Sequence, residues 1–155
     1  MALIQAFATV HRSAADMWRE VGPFQSIVRW HPLLMPTDGS GEEPGAERTM
    51  ATTDGRRWVE RLRETDPEQR LYRYDASSSD LPITDFEGEF RIREDAPHKS
   101  TVIWTARFAV TSGNEKDVND AVRHFLRAGV RGIERRYARP TAAAPHDVST
   151  LWHRP

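Results

Sequence analysis

The 155-residue chain contains no cysteine. Disulfide bonds, thiolate nucleophiles and cysteine-ligated zinc are therefore excluded, and the composition suits a reducing compartment. Lysine is nearly absent: Lys99 and Lys116 are the only two among 22 basic residues, which argues against Schiff-base chemistry. Those 22 basic residues face 23 acidic ones, for a net charge of −1, and no basic block stands out. The chain thus lacks the electrostatic footprint that neutralising nucleic-acid phosphates requires. No apolar run approaches the roughly 20 residues that span a bilayer, and Met1-Ala-Leu-Ile-Gln5 lacks the basic start of a secretory signal. The expectation is a cytoplasmic protein with no nucleic-acid partner and no membrane association. Apolar content, glycine included, lies slightly below the globular average of roughly 45–50%, so the core is expected to be thin or hollow. Near-neutral charge and five tryptophans nonetheless indicate a folded chain, and its length suits one domain.

What is present is ordered by periodicity. Leu3 to Val10 alternates, with Ile4, Ala6, Ala8 and Val10 on one face, and predicts a first strand. Ser13 then caps a helix, with Asp16 in the capping-box position and Trp18 and Val21 on the apolar side. Gly22-Pro23 breaks it, and a second short helix runs from Phe24 to about Trp30, closed by His31-Pro32. From Leu33 to about Val110, short alternating segments separated by turn signals predict an antiparallel meander. The segments are Leu33–Pro36, Ala46–Thr52, Arg57–Glu64, Arg70–Ser77, Asp85–Glu94 and Ser100–Val110, and the punctuation includes Gly39-Ser40-Gly41 and Asp54-Gly55. Asn114 to about Tyr137 is one long amphipathic helix with Val118, Val122, Phe125, Gly129, Ile133 and Tyr137 on its apolar stripe. Gly129 and Gly132, costly in a helix interior, are best explained by close approach to another backbone. The domain is expected over residues 1–139, and the Pro/Ala-rich residues 140–155 read as a flexible tail. The fold class is α+β.

The run Val21-Gly-Pro-Phe-Gln-Ser-Ile-Val-Arg-Trp-His-Pro32, then Pro44-Gly-Ala-Glu-Arg-Thr49, then Asp54-Gly-Arg-Arg-Trp-Val-Glu-Arg-Leu62 with Asp66 beyond it, resembles the polyketide cyclase/dehydrase branch of the START-like (SRPBCC) superfamily. Tyr72-Arg-Tyr74, Ser79-Asp-Leu-Pro82, Ser100-Thr-Val-Ile-Trp104 and Arg127-Ala-Gly-Val-Arg131 extend the resemblance over about residues 2–137. It implies a helix-grip fold: a seven-stranded antiparallel sheet curved around the long C-terminal helix, two short helices after the first strand, and a cavity between sheet and helix for a hydrophobic or aromatic small molecule. That superfamily includes ring-forming cyclases, hydrolases, lipid carriers and hormone receptors, so the resemblance speaks to fold more firmly than to chemistry.

Alternation then sorts candidate cavity residues. In Arg57–Arg63, Glu60 shares the apolar face with Trp58 and Leu62, and a carboxylate there needs a cationic partner or a raised pKa. It is either a general base or ligand anchor, or a structural partner of Arg48, which falls on the same face if Asp54-Gly55-Arg56 is a three-residue loop. Phe90, Trp104 and Phe108 form the inner faces of later strands, as core or as ligand contacts. Tyr72 and Tyr74 share a face, and either hydroxyl could donate to a ligand carbonyl. His31 is either a proton-transfer group near the cavity mouth or a helix-closing residue bonded to backbone, and His124 is a rim residue of the long helix. Ser77-Ser-Ser-Asp-Leu-Pro82 is similar to the gate loop of plant hormone receptors in that superfamily, with Asp80 where the pattern has Gly; it is a lid or a solvated turn. No metal-ligand pattern, phosphate-cradling loop or nucleophile elbow occurs, so no cofactor and no metal are expected.

Three functions fit. One is a cofactor-independent cyclase or dehydratase acting on a hydrophobic polyketide-like intermediate by acid/base chemistry. There Glu60 or His31 is the base, Arg48 or a tyrosine the donor, and Trp30, Trp58, Phe90 and Trp104 the walls. The second is a non-catalytic binder or carrier of a hydrophobic metabolite. The third is an interaction module using the Arg-rich helix face or the Trp152 tail. A homodimer is left open.

Overall fold

A computed structural model of the chain describes residues 1–138. The order of elements is β1 (Ala2–Val10), α1 (Ala14–Val21), a 3-10 turn (Phe24–Ser26), α2 (Ile27–Trp30), β2 (Gly39–Ser40), β3 (Glu47–Ala51), β4 (Arg57–Asp66), β5 (Leu71–Ser78), β6 (Ile83–Ala96), β7 (Lys99–Val110) and α3 (Glu115–Tyr137). Seven strands form one antiparallel sheet in the order β1-β7-β6-β5-β4-β3-β2. β1 buries Ile4, Ala6, Ala8 and Val10, as its period-2 pattern requires, and leaves Leu3 and Phe7 exposed. It pairs with β7 without interruption, from Ala2↔Phe108 to Val10↔Ser100. The whole is the expected helix-grip arrangement, with α3 lying in the concave side of the sheet.

α1 starts where the sequence places it: the Ser13 hydroxyl accepts from the Asp16 N–H at 3.0 Å, while the Asp16 carboxylate turns to Arg19. Its buried side is Ala14, Met17 and Val21, with Trp18 only half-buried at the margin. α3 is capped by Asn114, whose side-chain oxygen accepts from the Lys116 and Asp117 N–H groups at 2.8 and 3.4 Å. Its buried stripe includes Leu126 and Val130, whereas Phe125 is only half-buried. A side-chain carbon at Gly132 would collide with the Trp30 carbonyl, the expected close backbone approach. Gly129 differs. A carbon there would lie 2.5 Å from the Trp104 ring and 2.7 Å from that of His31, so two side chains, not a backbone, claim its space.

The meander departs from expectation at its start. Leu33–Pro36 contributes one bridge, Leu34↔Thr52, and the strand is instead Gly39–Ser40, paired with Arg48 and Glu47. The physical cause is Gln25, whose side-chain amide donates to the carbonyls of Gly41 and Glu47 at 3.2 and 3.0 Å and holds this segment against β3. Pro32 and Pro36 at the two ends of the stretch have no N–H to donate, so the ladder does not extend past the Met35 N–H bond to the Ala51 carbonyl. Register shifts in β4 and β6 bend the sheet, and Asp85 adopts a left-handed φ of 54° at the second. Beyond Asp75↔Glu87, β5 and β6 part, and residues 79–82 close the gap. Among the described residues, no helix is long and apolar enough to cross a membrane. The stretch from Pro140 onward, which includes Trp152, lies outside the described residues.

Candidate functional site

A cavity of about 250 Å3 opens between the N-terminal half of α3 and the sheet, beside the separation of β5 from β6. Its apolar wall comes from Leu33, Trp58, Leu81, Ile83, Phe86 and Phe125, with Ala121, Val122 and Leu126 below α3. Its polar groups are Thr52, Thr53, Asp54 and Arg56 from the β3–β4 turn, Glu60 from β4, Tyr74 from β5, Ser79 and Asp80 from the β5–β6 connection and His124 from α3. Trp58 and Phe125 meet edge to face with centroids 5.1 Å apart, so one wall from the sheet and one from the helix are aromatic.

Glu60 sits at the boundary between this cavity and the packed interior. The β3–β4 turn places it directly opposite Arg48, on the same face as expected; the loop itself is Thr53-Asp54-Gly55, one residue earlier than the expected Asp54-Gly55-Arg56, because the Thr52 N–H bonds the Arg56 carbonyl. Both side chains are buried, about 3% exposed. Arg48 Nε donates to Glu60 Oε1 at 2.8 Å, and Nη2 lies equally close to that oxygen without a hydrogen bond of its own. Arg48 Nη1 donates to the Phe24 carbonyl at 2.7 Å and to the Tyr72 hydroxyl at 3.2 Å. The guanidinium also lies 4.0 Å from the centre of the Phe24 ring and 4.9 Å from that of Tyr74. Burial alone would pull Arg48 down, but Tyr72, Glu60 and Tyr74 outweigh it and hold the group above its ordinary pKa. Glu60 Oε2 accepts from the Trp58 indole N–H at 2.9 Å. Every polar atom of this carboxylate is therefore engaged, and Oε2 retains one acceptor position.

Tyr74 reaches into the cavity by a different device. Its ring lies across β6 over Gly88, its cross-strand partner, where any side chain would collide with it. From there the hydroxyl accepts the Trp104 indole N–H at 2.7 Å. Burial, reinforced by the Glu60 charge, pushes the phenol well above its ordinary pKa, so Tyr74 remains a neutral O–H donor. At the rim, the Asp80 carboxylate accepts the Arg57 N–H at 3.0 Å and lies 3.7 Å from the Arg56 guanidinium, which pins the β5–β6 connection to the β3–β4 turn. Asp54 accepts a hydrogen bond from the Thr52 hydroxyl, which holds its carboxyl below the usual range.

Of the residues expected from sequence, the structure brings Trp58, Glu60, Tyr74 and His124 to the cavity. Trp30, Tyr72, Phe90, Trp104 and Phe108 face the same side of the sheet but are buried in ring-to-ring contact and do not line it. Arg48 lies behind Glu60 and does not line it either. His31 follows the second of its two readings, the helix-closing residue bonded to backbone, and the catalytic reading is corrected. It is 2% exposed, and its ring stacks on Phe125 with centroids 4.1 Å apart. The Leu33 N–H donates to Nδ1 at 3.2 Å, so Nε2 carries the proton and donates to the Phe125 carbonyl at 2.8 Å. Burial pushes its pKa down to about 4, against the Phe125 carbonyl and with help from the charges of Arg48 and His124. With both nitrogens bonded to backbone, it has no free position for proton transfer. Gly129 makes this possible, since the missing side chain lets the imidazole reach the α3 backbone.

Phe86, Leu81 and Ile83 were missed by the sequence reading. Phe86 was legible: it shares the parity of Phe90 and Ile92 along β6, and the alternation simply had to be followed two turns of the pleat further.

A family model described as "Polyketide cyclase / dehydrase and lipid transport" matches residues 1–138. The protein XoxI from Bacillus cereus superposes with a TM-score of 0.81 at 20% identity, covering 88% of this chain and 96% of that one. A protein from Thermobifida fusca does so with a TM-score of 0.78 at 30% identity, covering 88% and 93%. The Zhui aromatase/cyclase from Streptomyces sp. R1128 gives 0.62 at 18% identity, covering 84% of each. No curated protein sequence matches the chain. With one family model spanning every described residue and the same sheet and helix recurring in these neighbours, the chain belongs to the polyketide cyclase/dehydrase and lipid transport family.

Proposed function

We propose that the protein binds a small, mainly apolar molecule with an aromatic ring in the cavity beneath α3. The observation that carries this is the division of labour among the side chains. The cavity is lined by aromatic walls with two buried, hydrogen-bonded anchors, Glu60 and Tyr74, and by more exposed polar groups that include Asp54, Asp80, Arg56 and His124, while the buried His31 is spent on backbone. A volume of about 250 Å3 lies just under the roughly 300–1,000 Å3 of pockets for drug-sized ligands, which suits a molecule of one or two rings.

Cyclase- or dehydratase-type chemistry is the second reading, and one observation favours it: Glu60 faces the cavity with one acceptor position of Oε2 unused. In that reading Glu60 takes the proton from a carbon next to a carbonyl, and the Tyr74 hydroxyl donates to the oxygen on which charge gathers. The two readings separate by native mass spectrometry of the protein incubated with a panel of aromatic, polyketide-like and lipid molecules, followed by analysis of what is released. Unaltered ligand from the wild type supports binding. Altered molecules from the wild type but not from Glu60→Gln support chemistry, and retention of nothing from the panel contradicts both.

A further inference from the structure

The polar groups of the cavity have definite hydrogen-bonding vacancies and a definite charge, and these select the ligand more narrowly than volume does. Resting on the binding reading above, we infer that Glu60 is the specificity-determining residue: the site takes a neutral aromatic molecule carrying an O–H or N–H donor, and rejects a carboxylate.

Glu60 Oε1 faces Arg48 Nε and Nη2, each at 2.8 Å, and Oε2 holds the Trp58 N–H. The remaining position on Oε2 can only accept, so covering it with an apolar ligand removes water and returns nothing. A ligand O–H or N–H restores that bond. Tyr74 offers the converse. Its oxygen already accepts from Trp104, and among the described residues its own proton has no acceptor, so it answers an oxygen on the ligand.

Charge acts in the same direction. The acids that line the cavity are Glu60, Asp54 and Asp80; the arginine that lines it, Arg56, already faces Asp80 at 3.7 Å, and the histidine that lines it, His124, is exposed on α3. Arg48, the strongest buried cation nearby, is spent on Glu60, Phe24 and Tyr72 and does not line the cavity. A ligand carboxylate would therefore meet Glu60 with no free cation beside it, and like charges at close range are rejected. A ligand ammonium fares little better, because Arg48 already balances Glu60 and the cost of drying the ammonium goes uncompensated.

The test is calorimetric titration at neutral pH with four probes of one shape: 2-naphthol, 2-methoxynaphthalene, naphthalene and 2-naphthoate. The wild type is expected to bind 2-naphthol about tenfold more tightly than the methyl ether, which accepts but cannot donate, and 2-naphthoate most weakly. In Glu60→Gln, Arg48 loses its counter-charge, and 2-naphthoate should become the tightest of the four. The double variant Arg48→Met/Glu60→Leu, which removes both buried charges together and stays packed, should bind naphthol and its ether alike. That variant answers the question if the single one fails to fold. Equal wild-type affinity for naphthol, ether and naphthalene would overturn the inference and leave the binding reading standing, as would naphthoate binding tightest in the wild type. Binding of none of the four would overturn both.

Discussion

The concave face of the sheet has two halves built from the same alternating pattern with opposite outcomes. Beneath α1, the 3-10 turn and α2, the rings of Phe24, Trp30, Tyr72, Phe90 and Trp104 pack with centroids 5.2–6.0 Å apart. Beneath the start of α3, the rings of Trp58, Phe86 and Phe125 stand around about 250 Å3 of space. In the closed half, Arg48, Tyr72 and His31 are sealed away from the cavity and their hydrogen bonds serve the fold. In the open half, Glu60 and Tyr74 keep one hydrogen-bonding position each. The comparison shows that residue type alone did not assign function on this face: what decides is whether a short helix fills the space opposite.

The contrast breaks most visibly at the seam between the halves. Removing one member of the buried pair, by Arg48→Met or Glu60→Leu alone, should cost about 3–5 kcal/mol in urea unfolding, because the survivor is left as an uncompensated buried charge. The double variant should recover most of that loss. If both single variants are as stable as the double one, the pair is not sealed and the boundary drawn here is in the wrong place.

A second effect sits inside the closed half and appears with pH. His31 titrates near 6.5 in the unfolded chain and at about 4 when folded, so between those values the unfolded state binds the extra proton. Stability from this group is complete above pH 6.5 and should fall by roughly 3 kcal/mol as pH drops to about 4. Unfolding free energies measured across that window should lose this component in His31→Gln. A slope that survives the substitution would assign the acid sensitivity to other groups.

The smallest effect tests how tightly the closed half is packed. Gly129→Ala pushes a methyl group against Trp104 and His31 and should cost about 1–3 kcal/mol, less up to about 1 kcal/mol regained as helix propensity. Thermal unfolding measures it, and a stabilised variant would mean the His31 contact has slack.

Much of the fold could be read from the chain because its signals are local. Alternation in Ala2–Val10, the Ser13 and Asn114 caps and the β3–β4 turn each act within a few residues, and alternation put Arg48 and Glu60 on one face even though the turn falls one residue earlier than expected. The two-residue β2 escaped because Gly39–Ser40 has the composition of a turn and is held by Gln25, far away in sequence. The same limit applied to the site. Period-2 patterning tells which face Phe90 and Phe86 occupy, but not which of them lies under α2 and which beside the gap between β5 and β6. The choice between the two readings of His31 was illegible for a related reason: it depends on a carbonyl of α3 that Gly129 makes accessible.

The pairing of β1 with β7 bears on how the molecule is made as well as how it looks. Residues 2–10 find their ladder only in residues 100–108, and the Ser100 hydroxyl then closes on the Arg12 carbonyl at 3.0 Å. On the ribosome, the first strand is synthesised first and paired last. Until β7 emerges, it is an unpartnered edge carrying Leu3 and Phe7, and closing the sheet requires the long loop closure that slows folding and exposes chains to aggregation.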